Sequence, residues 1–236
     1  MSPSSIPIIL ATEEDAPTLA SIMTAAFSAS DAAYPLIWGS APEGTHDMIS
    51  VKGLFTPVQK EGRVTFKAVN TEDKIVGFVT WSLPKERKPD DGSKGKEGSG
   101  GMPDLPGVNM GLWMEKLGGP KKLFERDVDK EKDMRASFII LSSIFMELTT
   151  LLVLSFFFVH PDHQRQGIGS SMLKWGKEKA DASGIKIWLT STPQARPVYE
   201  QNGWKVVDTC TTDLEPHGGQ GTYTRAWMLR VGGTEN

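Results

Sequence analysis

The segment Val159 to Ser170, VHPDHQRQGIGS, constrains the fold of this chain most. An apolar run, Ser155-Phe156-Phe157-Phe158-Val159, ends there at a His-Pro-Asp turn. Pro161 has no N–H to give to a sheet ladder, so the strand must stop. Gln164 to Gly169 follows, and Ser170 to Ser183 reads at once as an amphipathic helix with Met172, Leu173, Trp175 and Ala180 inward and Gly184 as its stop. A strand, a glycine-bearing turn and a helix start leave several unpaired backbone N–H groups aimed at one spot. That arrangement binds phosphate through hydrogen bonds and the helix dipole. Gly167 and Gly169 would let a ligand approach the backbone, and Arg165 would add charge.

The rest of the chain alternates strand and helix patterns. Pro7 to Ala11 is a short apolar strand, with Thr12 as a helix cap answered by Asp15. Ala16, Leu19, Ile22, Met23 and Phe27 then recur at helical spacing. Arg63 to Val69 and Lys74 to Leu83 are two strands, joined as a hairpin by Asn-Thr-Glu-Asp. Ile185 to Leu189 is a strand, Pro193 to Gln201 a short helix ended by Asn202-Gly203, and Lys205 to Thr209 pairs with Thr222 to Val231. Between these halves, positions 85–135 hold 23 of the 55 charged residues. The first half of that interval, Lys85 to Gly107, alternates in sign and buries too little to order itself, so it reads as a mobile, solvated insertion. Its second half, Gly111 to Asp133, reads as a helix with Leu112, Trp113, Leu117, Leu123, Phe124 and Val128 on one face, interrupted at Gly118-Gly119-Pro120.

A second marker lies downstream at Val198-Tyr199-Glu200-Gln201-Asn202-Gly203-Trp204. With Gln164, Gly167 and Gly169, it gives the segment from Phe157 to Asp208 a close resemblance to the Gcn5-related N-acetyltransferase (GNAT) family. A weaker pattern extends the resemblance over Ile8 to Leu83. The resemblance implies an α/β (α+β) fold: one GNAT-like domain over 1–236, with a mixed, mostly antiparallel sheet flanked by helices and its fourth and fifth strands splayed. It implies acetyl-CoA as cosubstrate. Backbone N–H groups of Arg165, Gln166, Gly167, Ile168, Gly169 and Ser170 would hold the pyrophosphate, Gln164 would open the same cofactor-binding turn, and Phe157, Phe158 and Val159 would pair with the pantetheine amides. Tyr199 stands at the family position of the acid that protonates the leaving thiolate, and its ordinary pKa of about 10 keeps it protonated at neutral pH. Glu147 is the candidate base, as the one acid in an apolar run, although it lies 12 residues before Val159. Thr190 stands where some related sequences carry Glu.

The implied activity is transfer of an acetyl group directly to an amine of a small-molecule or peptide acceptor. Tyr34, Trp38, His46, Trp81 and Trp113 are aromatic candidates for the acceptor pocket. A net charge of −3 gives no attraction to nucleic acid or to a polycationic partner. One cysteine, Cys210, excludes an internal disulfide, no Cys/His spacing suggests a metal, and no signal peptide is read at the N-terminus. A cytoplasmic enzyme is the expectation. Two alternatives stand beside it: a CoA-binding module of the same fold with little catalysis, and a membrane-associated protein. The second arises because residues 138–159 are a 22-residue, mostly apolar run. Glu147 near its centre and the need for a strand ending at Val159 argue against a span. The run is too long for one strand. It is expected to divide into Phe145 to Val153 and Leu154 to Val159, or to carry a bulge, with 153–157 as a possible insertion.

Overall fold

The computed structural model describes residues 6–83, 105–127 and 151–233. Seven strands form one sheet: β1 (Ile8–Leu10), β2 (Arg63–Val69), β3 (Ile75–Ser82), β4 (Leu151–Val159), β5 (Lys186–Ser191), β6 (Lys205–Asp213) and β7 (Thr222–Val231). Their order is β1-β2-β3-β4-β5-β7-β6. Every neighbouring pair is antiparallel except β4 and β5. A parallel pair needs a crossover, and α5 (Ile168–Ser183) supplies it. The other helices are α1 (Ala16–Ser30), α2 (Tyr34–Trp38), α3 (Thr45–Leu54), α4 (Met110–Asp127) and α6 (Arg196–Gln201). The mixed, mostly antiparallel α/β domain read from the sequence is therefore the fold, and β2–β3 is the hairpin expected of residues 70–73.

Two apolar clusters cover the two faces of the sheet. On one face α5 and α6 pack through Met172, Leu173 and Tyr199 onto Leu152, Ile187 and Met228. On the other, α1 and α3 pack through Leu19, Met23 and Val51 onto Phe78, Phe156 and Phe158. A strand covered on both faces must be apolar on both, which explains the described part of the 138–159 run, residues 151–159. Residues 151–159 are a single strand, not two pieces, and the irregularity is a bulge. Trp81 pairs with Leu154 and Thr80 with Phe156, so Ser155 is the extra residue. The side-chain alternation reverses across it. Leu152 and Leu154 before the bulge share a face with Phe157 and Val159 after it, while Phe156 and Phe158 face the other cluster. The remainder of the run, with Glu147, lies outside the described residues. No helix among the described residues is long and apolar enough to cross a membrane.

Part of the charged interval 85–135 is packed. Leu105, Val108 and Leu112 are buried against Ile37, Leu214 and Tyr223. Positions 85–104 and 128–135 of that interval, Val128 among them, lie outside the described residues. Helix α4 runs through Gly118-Gly119-Pro120 instead of breaking there. Pro120 cannot donate to the carbonyl of Lys116 four residues earlier. The Arg225 guanidinium donates to that carbonyl in its place, at 3.1 Å.

Candidate active site

Strands β4 and β5 pair only at Leu151–Lys186, Leu152–Ile187 and Val153–Trp188. Beyond Val153, β4 stays hydrogen-bonded to β3 and β5 to β7, and the two strands part. A cavity of about 710 Å³ occupies the gap. It is lined by facing edges of β4 and β5, by Gly167 and Tyr199 on the α5–α6 face, and by Phe27 and His46 on the α1–α3 face. It therefore passes through the sheet.

At its α5 mouth the turn is built as a set of free donors. Arg165 has φ of 60° and Gly167 φ of 78°, two left-handed residues that fold the chain back over the strand end. Only glycine adopts such a φ without cost, and the place a Gly167 Cβ would take is open space. Gly167 begins α5 with no side-chain cap, so the N–H groups of Ile168, Gly169 and Ser170 have no partner within the helix. Gly169 is required for a reason the sequence did not show. A Cβ there would stand 2.9 Å from Cζ of Phe157. The glycine accommodates a core ring.

Residues singled out from the sequence converge here, in differing roles. Phe157, Phe158, Val159, Gln164, Arg165, Gly167, Ile168, Gly169, Ser170 and Tyr199 all contribute to the cavity wall, and Gln166 does not. The Ile168 side chain is core. The Gln164 side chain donates to the Val159 carbonyl at 3.1 Å and so ties the turn to the strand. The His160 N–H donates to the Val76 carbonyl. By alternation in an antiparallel pair, Phe158 directs its backbone groups to β3, and Phe157 and Val159 direct theirs to the gap. Of the three residues expected to offer backbone groups to a ligand, Phe158 is thus committed elsewhere. Asn202 in the second marker fastens α6 to α5: it accepts from Lys177 and donates to Ser170 and to the Val198 carbonyl.

Tyr199 is buried between Phe157 and Trp204, with ring centroids 5.5 and 6.0 Å away. Burial raises its pKa, so the phenol keeps its proton throughout the physiological range. The Thr190 hydroxyl, on the β5 side of the gap, is buried without a hydrogen-bond partner among the described residues.

The chamber behind β4 is aromatic. Tyr34, Trp38, His46 and Trp113 line it, as does Phe27, whereas Trp81 is fully buried in the core. Three charged residues that sequence reading missed stand at its inner wall: Asp31, Lys116 and Arg225. Asp31 accepts from Lys116, from the Tyr223 hydroxyl at 2.9 Å and from the Ala33 N–H at 2.9 Å. Burial lowers the Lys116 pKa, against the pull of Asp31. Burial raises that of Tyr223 and the Asp31 charge adds to it. Asp31 and Lys116 are 85 positions apart, and no local pattern could have joined them.

Residues 134–213 match the model of the acetyltransferase (GNAT) domain. Over these residues the chain is similar to a GNAT acetyltransferase domain. Solved structures with this fold cover nearly the whole chain. One is a histone acetyltransferase HPA2 and related acetyltransferase from Corynebacterium glutamicum, with 14% identity, a TM-score of 0.54, and coverage of 98% of this chain and 99% of that one. Another is a GNAT-superfamily phosphinothricin acetyltransferase from Sinorhizobium meliloti in complex with AcCoA, with 11% identity, a TM-score of 0.51, and coverage of 97% and 89%. A third is the PaiA N-acetyltransferase from Thermoplasma acidophilum in complex with coenzyme A, with 14% identity, a TM-score of 0.50, and coverage of 96% and 99%. At these identities the likeness is one of fold. Within it, the splayed β4 and β5 and the turn before α5 are the features the GNAT resemblance implied.

Proposed function

We propose that this GNAT domain is an acetyl-CoA-dependent N-acetyltransferase acting on the amine of a small molecule. The observation that carries the reading is the cavity through the sheet, which joins the free donors at the start of α5 to an aromatic chamber on the opposite face. A pyrophosphate fits the three unpartnered N–H groups of Ile168, Gly169 and Ser170, where the helix dipole favours negative charge. The pantetheine arm fits the backbone groups of Phe157 and Val159 that face the gap. Acetyl-CoA supplies an activated thioester. The chain's residues place its carbonyl between the strands and hold the amine opposite it, which turns a bimolecular reaction into an intramolecular one. The Tyr199 hydroxyl, protonated and hydrogen-bonded to nothing among the described residues, is the proton donor to the departing sulfur. The mostly apolar, aromatic chamber favours a small acceptor over a polypeptide. A cytoplasmic site of action is part of the same proposal and accords with the unpaired, partly exposed Cys210.

The test combines titration calorimetry with acetyl-CoA and a thiol-release assay over an amine panel. Gly167→Glu places a carboxylate against the phosphate and forces a side chain into φ of 78°. Acetyl-CoA affinity should fall at least about 100-fold while circular dichroism still shows a folded domain. Unchanged affinity would overturn the phosphate assignment. Tight acetyl-CoA binding without thiol release for any amine would instead identify a binding module.

A further inference from the structure

The chamber contains a hydrogen-bonded chain that the acetyl-transfer reading leaves unused. Thr24 on α1 donates its hydroxyl proton to Oδ1 of Asp47 on α3. A hydroxyl has one proton, so toward Nδ1 of His46, 2.7 Å away, the same oxygen acts as acceptor. The imidazole is thereby fixed as the tautomer with its proton on Nδ1 and its lone pair on Nε2. Nε2 makes no hydrogen bond among the described residues, is not sealed from solvent, and belongs to a ring that lines the cavity. Around it stand Trp38, Tyr34 and Phe27, at centroid distances of 4.6, 5.4 and 6.2 Å.

The charges near the imidazole are few and mostly committed. Asp47 on its own helix holds Thr24. Lys116 reaches in from α4 and is bound to Asp31, whose two oxygens are filled by Lys116, Tyr223 and Ala33. The Tyr34 hydroxyl from α2 lies 3.4 Å from Nδ1. Burial, with a smaller push from Lys116 and an opposing pull from Asp47, lowers the His46 pKa to about 4. The imidazole is therefore neutral wherever acetyl transfer would run.

We propose that the Asp47–Thr24–His46 chain presents Nε2 as the hydrogen-bond acceptor for the acceptor's amino N–H, and that the acceptor is a weakly basic aromatic amine. This rests on the acetyl-transfer reading and names its substrate class. The planar body of such an amine fits against Trp38, Tyr34 and Phe27. An alkylammonium ion would have to surrender a proton before it could attack, next to the Lys116 ammonium and to an imidazole too weakly basic to take it. An aromatic amine is already neutral. Its nitrogen attacks the thioester carbon, the C–N bond forms and the C–S bond breaks. The nitrogen, made strongly acidic as the C–N bond forms, gives one proton through its hydrogen bond to Nε2 to solvent. The thiolate takes one from the Tyr199 hydroxyl, which solvent restores, leaving an amide and a free thiol.

The experiment compares aniline with benzylamine, which differ by one methylene and in basicity. Full-length protein is assayed for thiol release at pH 7 with saturating acetyl-CoA, and ¹⁵N NMR of the His46 imidazole follows each titration. The proposal expects kcat/KM for aniline at least about tenfold above that for benzylamine. It expects roughly a three- to tenfold loss in His46→Phe, the range for one hydrogen bond. The Nε2 resonance should shift with aniline. Thr24→Val should release the tautomer, visible in the same spectra, while the domain remains folded. A preference for benzylamine, or an Nε2 resonance unmoved by aniline, would overturn the assignment. Failure to bind acetyl-CoA at all would refute the acetyl-transfer reading instead, and the aniline titration without cofactor would still decide the role of His46.

Discussion

Replacing Gly169 by alanine separates two explanations for a glycine in the turn. If the residue is small so that a ligand can come close, Gly169→Ala should weaken acetyl-CoA binding and leave stability nearly unchanged. The structure points to a different cause. The added Cβ would lie 2.9 Å from Phe157 Cζ and 3.7 and 3.8 Å from the two Cε atoms. Ordinary contact begins near 3.4 Å, so the ring must retreat by about half an ångström. It cannot do so freely, because Tyr199 stacks near it at 5.5 Å and β4 is held to β3 on either side. Overpacking of this kind costs about 1–3 kcal/mol. The assay is urea unfolding of Gly169→Ala, Phe157→Leu and the double variant. Leucine has no atom at the Cζ position, so the clash disappears in the double variant. That variant should be more stable than the sum of the singles by about 1–3 kcal/mol. Additivity to within about 0.5 kcal/mol, or a Gly169→Ala protein as stable as the parent, would refute the reasoning.

Tyr199→Phe should leave unfolding free energy within about 0.5 kcal/mol of the parent, since the hydroxyl has no hydrogen bond among the described residues, while kcat falls by about 100-fold or more. Equal losses of stability and activity would reduce Tyr199 to a packing residue. For His46 the sign is fixed by a folded-state pKa of about 4 below the ordinary 6.5. The neutral ring's contribution is complete above pH 6.5 and is lost as pH falls toward 4, because the unfolded chain binds the proton first. The loss is on the order of 3 kcal/mol, and His46→Gln should not show it; parallel stability-versus-pH curves for the two proteins would contradict this.

The sequence made visible what depends on neighbours in the chain. The β2–β3 hairpin follows from a polar four-residue turn between two alternating runs, and α5 ends at Gly184, whose φ of 63° ends the helix. The α5 turn was legible because a strand stop, two glycines and a helix start lie within 12 residues. Helices α2 and α3 were not legible. They are short and separated by Gly39, Pro42 and Gly44, so neither accumulates enough turns to show a periodic face. The course of α4 through Pro120 was unreadable for another reason: the donor that replaces the missing N–H comes from Arg225, far along the chain. The inner wall of the chamber has the same origin, a carboxylate on one side of the domain meeting a lysine and a tyrosine from two others.

Ser155 shows how one residue couples the apolar run to the site. Strand β4 keeps its ladder with β3 on both sides of the bulge, but its ladder with β5 ends at Val153, two positions earlier. A bulge bends its strand and increases the local twist. Bound to β3, β4 turns away from β5 at this point, and the gap opens where the bulge lies. The Ser155 hydroxyl meets that of Ser82 at 2.8 Å, which fixes the extra residue against β3. Deleting Ser155 would put Leu152 and Leu154 on the face now held by Phe156 and Phe158, or move the phenylalanines instead, since a slip of one residue inverts every side chain beyond it. Either outcome buries the wrong set of side chains, so unfolding free energy should drop by at least about 3 kcal/mol. Ser155→Ala keeps the residue count and should lose only about 1 kcal/mol, the worth of one hydrogen bond. If the deletion were as stable as Ser155→Ala, the reversal of alternation would not be what holds the two faces apart, and the opening between β4 and β5 would need another cause.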